Sequence, residues 1–275
     1  MAEAVQVANV DRSLRVLETL AGAPGGLSLR ALADAAGLPK SAAHRLLHTL
    51  MLRGYVHQDK QSQDYCLSLK LALLGFRFLD ARRLPDLLQG ALDGLARASG
   101  EYCRIAIVEG EGLAWIARAQ GARMGLRYDP PMGREVVLHA TATGKAWLAT
   151  LPEDEALRLV RARGLVTPEG FGANAVRSLD ALATHLAHAR EQGYAVAHEE
   201  GEPGIAAIAR AFRTHDDPAA PAAGTVSIAG PLTRLTPARL AELVPLLVAA
   251  TAELTSLWPV HRRQRSASPT PQSFA

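Results

Sequence analysis

At 275 residues the chain is longer than a typical single domain, and its 48% hydrophobic content is ample for one or two packed cores. Two distant cysteines, Cys66 and Cys103, with no CxxC or Cys/His cluster, exclude a disulfide framework and a structural zinc site and read as small buried hydrophobes. The net charge of +3 divides unevenly: residues 1–83 carry 11 Lys and Arg against 7 Asp and Glu, residues 84–258 carry 16 against 20, and residues 259–275 carry 3 against 0. That asymmetry suits a domain that approaches phosphates joined to one that does not. No run of 18 or more apolar residues is free of charge and no basic stretch leads into an apolar one near residue 1, so the expectation is a cytoplasmic protein with no membrane partner.

Val10, Leu14, Leu17, Leu20 and Ala21 recur at helical spacing, which predicts a first helix over 10–21 with one buried face and Asp11 as its cap. The run Gly22-Ala23-Pro24-Gly25-Gly26 cannot continue it. Ser28 then caps a short second helix that turns Leu29, Leu32, Ala33 and Ala36 inward and ends at Gly37. Lys40 to Arg53 reads as a third helix, with Ala43, Leu46, Leu47, Leu50 and Met51 on its core side and a C-cap at Gly54. Its other side shows Lys40, Ser41, His44, Arg45 and His48. Short strands at 55–57 and 65–67 flank a polar loop, Gln58 to Asp64, as a wing would.

Helix, tight glycine turn and helix form the helix-turn-helix pattern, whose second helix enters the major groove of double-stranded DNA. Lys and Arg neutralise phosphates there, while Arg, Ser and His reach base edges. Arg45 is the leading candidate for such a contact, and Ser28, His57 and Lys60 complete the candidate set of Lys40, Ser41, His44, Arg45 and His48. The plainer reading is a solvated helix face, but the spacing, turn and wing together weigh against it. His44 and His48 have the i, i+4 spacing of a metal pair, yet no carboxylate or cysteine joins them, so no metal and no cofactor are expected.

Residues 67–79 are apolar at helical spacing through Leu69, Leu73, Leu74 and Phe76, which predicts a linker helix over 69–84. Its stripe either packs on its own chain or faces a second copy of it. A helix over 86–99 follows, then strands at 102–108, 113–119 and 123–129. Helices at 141–150, 153–163 and 178–192 come next, with strands at 194–198, 204–212 and 224–229 and a last helix over 236–258. Two groups of strands around a block of helices suggest an α+β domain on an antiparallel sheet. The expected organisation is a DNA-binding module over 7–68, the linker over 69–84, the α+β domain over 85–258, and a disordered basic tail over 259–275. His139, Glu199 and Glu200 resemble acid/base tools, but no GxSxG elbow, Cys/His nucleophile or metal constellation accompanies them, so no enzyme is expected.

Along residues 26–50, GLSLRALADAAGLPKSAAHRLLHTL, the chain resembles the IclR family of bacterial regulators, whose corresponding segment is a winged helix-turn-helix. The resemblance continues through LHATATGKAWLA (138–149), GYAVAHEEGEPGIAAIA (193–209) and VSIAGP (226–231). It departs at Ala42-Ala43, where the family often has Thr and an aliphatic residue, so a polar DNA contact at Ala42 is missing. The resemblance implies a GAF-like effector-binding domain with the ligand between sheet and helix, a homodimer or tetramer, and a small organic acid as effector. Carried over by position, the effector residues are Tyr128, Val136, Ala142, Thr143, Ala197, Ile205, Ala207, Ser227 and Ala229. Where relatives that sense small oxoacids place Asp, Cys and Ser, this chain has Ala197, Ala207 and Ala229. The expectation that follows is a larger, drier cavity suited to a bulkier acid, aromatic acids being one class, with Tyr128, Thr143 and Ser227 as the remaining hydrogen bonders. Two rival readings are a metabolic enzyme whose first module serves assembly and a non-specific DNA architectural protein.

Overall fold

The computed structural model describes residues 7–82, 84–131, 133, 135–167 and 169–266, which fall into two compact units divided at Ala81 and Arg82. The division lies inside the expected linker segment.

In the first unit, α1 (Ala8–Ala21), α2 (Leu29–Ala35) and α3 (Lys40–Leu52) precede a two-stranded antiparallel wing, β1 (Val56–Gln58) and β2 (Tyr65–Leu67). Its core is Val16, Leu20, Leu32, Ala33, Leu47 and Val56. The Ser28 hydroxyl accepts from the Ala31 N–H, satisfying one orphan donor of α2. Helices α2 and α3 end alike. Gly37 (φ +64°) and Gly54 (φ +73°) take the left-handed conformation, and the next residues, Leu38 and Tyr55, donate back to Ala33 and Leu50. The wing is tied across its tip by Asp59, whose carboxylate accepts from the N–H groups of Gln61 and Ser62 and is held below the usual carboxylate range by those bonds.

Three expectations for this unit need correction. Val10 and Leu14 are more than half exposed, bordering a groove of about 580 Å³ between α1 and α3. Asp11 does not cap α1, which starts three residues earlier after Val7; its carboxylate pairs with Arg15 one turn on. Met51 is exposed and Cys66 only half-buried, whereas Cys103 is fully buried and its thiol is pushed up to about 12 by burial. Helix α4 (Lys70–Arg82) leaves Leu73, Leu74 and Phe76, with Leu69 just before it, largely exposed.

The second unit is a five-stranded antiparallel sheet in the order β4-β3-β7-β6-β5. The strands are β3 (Tyr102–Glu109), β4 (Gly112–Gln120), β5 (Ala195–His198), β6 (Ile205–Arg213) and β7 (Ala222–Pro231). Helices α5 (Leu84–Ser99) and α9 (Pro237–Ser266) pack on one face through Leu88, Leu92, Leu243, Leu247 and Leu254, against Ile105, Ile208 and Ile228. Helix α6 (Ala142–Leu148) lies on the other face, with α8 (Leu179–Gln192) beside it and α7 (Glu153–Arg163) packed on α8. Gly144 lets the segment that leads into α6 pass close against the helix: a Cβ there would fall 2.3 Å from the Leu138 carbonyl oxygen.

The expected strand at 123–129 does not form. Gly125 is at φ +78° and Pro130 and Pro131 cannot join a ladder, so the segment is an irregular loop tied by Gln120 donating to the Tyr128 carbonyl. The expected tail from 259 is likewise overturned in part, since α9 runs on to Ser266 through the helix-favouring Arg262, Arg263, Gln264 and Arg265. Residues 267–275 lie outside the described residues. Pro237–Trp258 is long and apolar enough by composition to cross a membrane, but Leu240, Leu243, Leu247, Ala250 and Leu254 are buried in the domain core.

Candidate functional sites

The outer face of α3 carries Lys40, Ser41, His44, Arg45 and His48, all exposed, and His57 and Lys60 are exposed on the wing. Ser28 is exposed at the start of α2, its hydroxyl already engaged in the cap. Among the described residues neither Lys40 nor Arg45 has an acidic partner, whereas Arg15 and Arg30 are paired within their own helices. Cations left unpaired on one side of a helix are free to meet phosphates. Ala42 is half-buried and borders the α1–α3 groove together with Leu46 and Thr49.

In the second unit, strand register assembles the other site. Tyr102, Ala229, Ala207 and Ala197 are direct neighbours across β3, β7, β6 and β5, so the three alanines form one row on the α6 face of the sheet. Arg104 and Ser227 pair in the adjacent row. Helix α6 closes the site from above. Its cap, Thr141, accepts from the Gly144 N–H and leaves the first-turn N–H groups of Ala142 and Thr143 without intrahelical acceptors.

Eight of the nine expected effector residues, Tyr128, Ala142, Thr143, Ala197, Ile205, Ala207, Ser227 and Ala229, line one cavity here. Val136 does not; it is buried with Leu138, Trp147 and Leu148 in the core beneath α7. The cavity is also lined by Arg104, Trp115 and Glu202, none of them foreseen. It measures about 50 Å³, room for a few water-sized groups at ~10–15 Å³ each, so the expected larger and drier space is absent. The reason is local. The β4 ladder shifts register between Ile105 and Ala106, so Ile105 faces Ala117 while Ala106 faces Trp115. Such a bulge flips the alternation of the strand. It brings Trp115 to the α6 face, where its ring stacks 3.8 Å from the Arg104 guanidinium and forms part of the cavity wall.

Burial holds Arg104 below the usual guanidinium range, with Tyr128, Tyr102 and Glu202 pulling it back up. Burial likewise raises the Tyr128 phenol, opposed by the charge of Arg104. Behind α6 lies a second buried charge pair, Lys145 Nζ to Glu200 Oε1 at 2.6 Å, with His185 Nδ1 at 3.3 Å from the same ammonium. Burial lowers Lys145, and Glu200 counters it. His139, also buried, is lowered by desolvation. Glu199 is exposed in part and accepts from the Gly204 N–H, closing the loop between β5 and β6. His139, Glu199 and Glu200 thus brace the site rather than face its cavity.

The profile described as "Bacterial transcriptional regulator IclR C-terminal" matches residues 76–256, and "IclR helix-turn-helix domain" matches residues 9–60. The chain is 31% identical over 252 residues to the transcriptional repressor IclR of Escherichia coli, covering 91% of this chain and 89% of that protein. It is 34% identical over 249 residues to the glycerol operon regulatory protein of Streptomyces coelicolor, covering 89% and 92%. Among solved structures it resembles an IclR homolog of Microbacterium hydrocarbonoxydans complexed with 4-hydroxybenzoate, at TM-score 0.72 and 21% identity, covering 92% and 99%.

Proposed function

The chain belongs to the IclR family of bacterial transcriptional regulators, DNA-binding proteins rather than enzymes, and on that premise we propose that it is a one-component sensor acting in the cytoplasm. Its first domain docks α3 in the major groove of an operator, with Lys40, Ser41, His44, Arg45 and His48 toward the DNA and Ser28, His57 and Lys60 at the backbone. The observation that carries this is the outer face of α3, whose cations have no acidic partner among the described residues. The apolar stripe of Leu69, Leu73, Leu74 and Phe76 suits contact with a second copy, as a homodimer or dimer of dimers. Two recognition helices in a two-fold dimer then read half-sites one helical turn, ~34–36 Å, apart or a multiple of it.

The effector reading is a small organic acid in the cavity between α6 and the sheet. An aliphatic acid of a few heavy atoms suits the cavity as it stands. An aromatic acid, such as the 4-hydroxybenzoate held by the Microbacterium homolog, requires Trp115 to swing aside. Binding shifts the protein only if the acid prefers one conformation to another.

A mobility shift on the protein's own upstream intergenic DNA against scrambled duplex, over a salt series, tests the DNA half. Specific retention with a steep salt slope is the expected result. Equal affinity for both duplexes refutes operator recognition. Repeating the shift with glyoxylate, pyruvate, benzoate and 4-hydroxybenzoate tests the effector half, and tighter binding of either oxoacid than of both aromatic acids excludes the aromatic class.

A further inference from the structure

Arg104 stands in the middle strand pair of the sheet on the face that α6 covers, in register with Ser227, and it is the one cation among the described residues lining the effector cavity. Its surroundings are unusual for a charge. Trp115 stacks on the guanidinium at 3.8 Å and Tyr102 lies 5.5 Å away, so two flanks are apolar. Its Nε is buried with no hydrogen-bond partner. Its acidic neighbour is Glu202, from the loop between β5 and β6, which also bonds to Tyr128.

A guanidinium withdrawn from water is costly unless it is fully paired, and an unsatisfied N–H adds to that cost. A fork of parallel N–H donors matches a carboxylate, and stacking on an indole fixes the plane of the fork without consuming its donors. Resting on the organic-acid reading above and deepening it, we propose that Arg104 anchors the carboxylate of the effector, and that Glu202 is the internal counter-ion whose place beside Arg104 the effector takes. The row of Ala197, Ala207 and Ala229 then holds the apolar part of the acid, since the three methyl side chains offer it no hydrogen bond. A like charge facing the incoming anion opposes its binding, so Glu202 sets the affinity downward while Arg104 sets it upward.

Isothermal titration of the full-length protein with glyoxylate, pyruvate, benzoate and 4-hydroxybenzoate identifies the tightest acid, which is then compared with its own carboxamide. Wild type is expected to prefer the acid. Arg104→Gln should weaken the acid by about 10- to 100-fold and leave the amide unchanged, the range set by losing hydrogen bonds to a charged group. Arg104→Lys should recover part of the loss, because the charge returns without the fork. Glu202→Gln should bind the acid more tightly than wild type, an outcome that a merely structural pair does not produce. Equal acid affinity in wild type and a folded Arg104→Gln overturns this inference and leaves the organic-acid reading standing. If Arg104→Gln does not fold, acid affinity unchanged in both Arg104→Lys and Glu202→Gln overturns it. Should none of the four acids bind wild type, the organic-acid reading itself falls and takes this inference with it.

Discussion

The two candidate sites are built on opposite plans. The candidate DNA-facing residues lie on α3, on the wing and at the start of α2, on exposed surface, with few partners of their own. The cavity residues come from five strands, a helix and two loops spread from Arg104 to Ala229, and all are buried or half-buried. A surface of the first kind tolerates substitution of its side chains and loses only what they touched outside the molecule. A site of the second kind carries stability and recognition in the same atoms, so changes there register in both.

The largest effect that this contrast predicts is at Lys145. Lys145→Met leaves Glu200 buried without its partner, and breaking a buried pair of this kind costs about 3–5 kcal/mol. Thermal denaturation should show the loss, and Lys145→Met combined with Glu200→Met should recover a large part of it. Full stability in the single variant would place the pair in solvent and blur the contrast.

At the other site, Arg45→Ala should weaken operator binding by about 1–3 kcal/mol while changing folding stability by less than about 0.5 kcal/mol. A mobility shift and a thermal melt on the same sample measure both. A comparable loss in each would mean that Arg45 is structural after all. Ser28→Ala, which removes the α2 cap, should cost about 1 kcal/mol of stability, read by denaturant unfolding. The smallest effect concerns pH. His139 and His185 are both lowered from 6.5 by burial, so above about pH 6.5 neither state binds a proton and stability is level. Below it the unfolded chain takes up protons that the folded one resists, and stability falls as pH drops. His139→Gln should flatten that slope in melts run from pH 8 to pH 5.

The contrast also explains what could be read from the sequence. Helices α2 and α3 were legible because cap, inward face, left-handed glycine and outward face follow one another within 30 residues. The eight residues expected through the resemblance that line the cavity lie mostly on α6 and the strands β5 to β7, which carry its motifs. Arg104, Trp115 and Glu202 stayed hidden for a physical reason. In YCRIAIVE a lone arginine reads as the solvent side of a strand, and only knowledge that α6 covers that face makes it a buried charge. Trp115 depended on a register shift that alternation alone cannot reveal. Val136 failed in the reverse direction: its segment leaves the sheet, so its side chain joins the neighbouring core. The strand expected at 123–129 had the right side chains, but Gly125 and the two prolines denied it a ladder.

The bulge opposite Ile105 and Ala106 has one more consequence. A single residue of surplus length in β4 decides which face of the sheet receives Trp115, and therefore whether Arg104 has an aromatic platform at all. An insertion or deletion of one codon at the sheet edge would thus change which side chains wall the cavity with no other substitution in the chain. Diversification by length and diversification by side chain act here on the same pocket through separate genetic events.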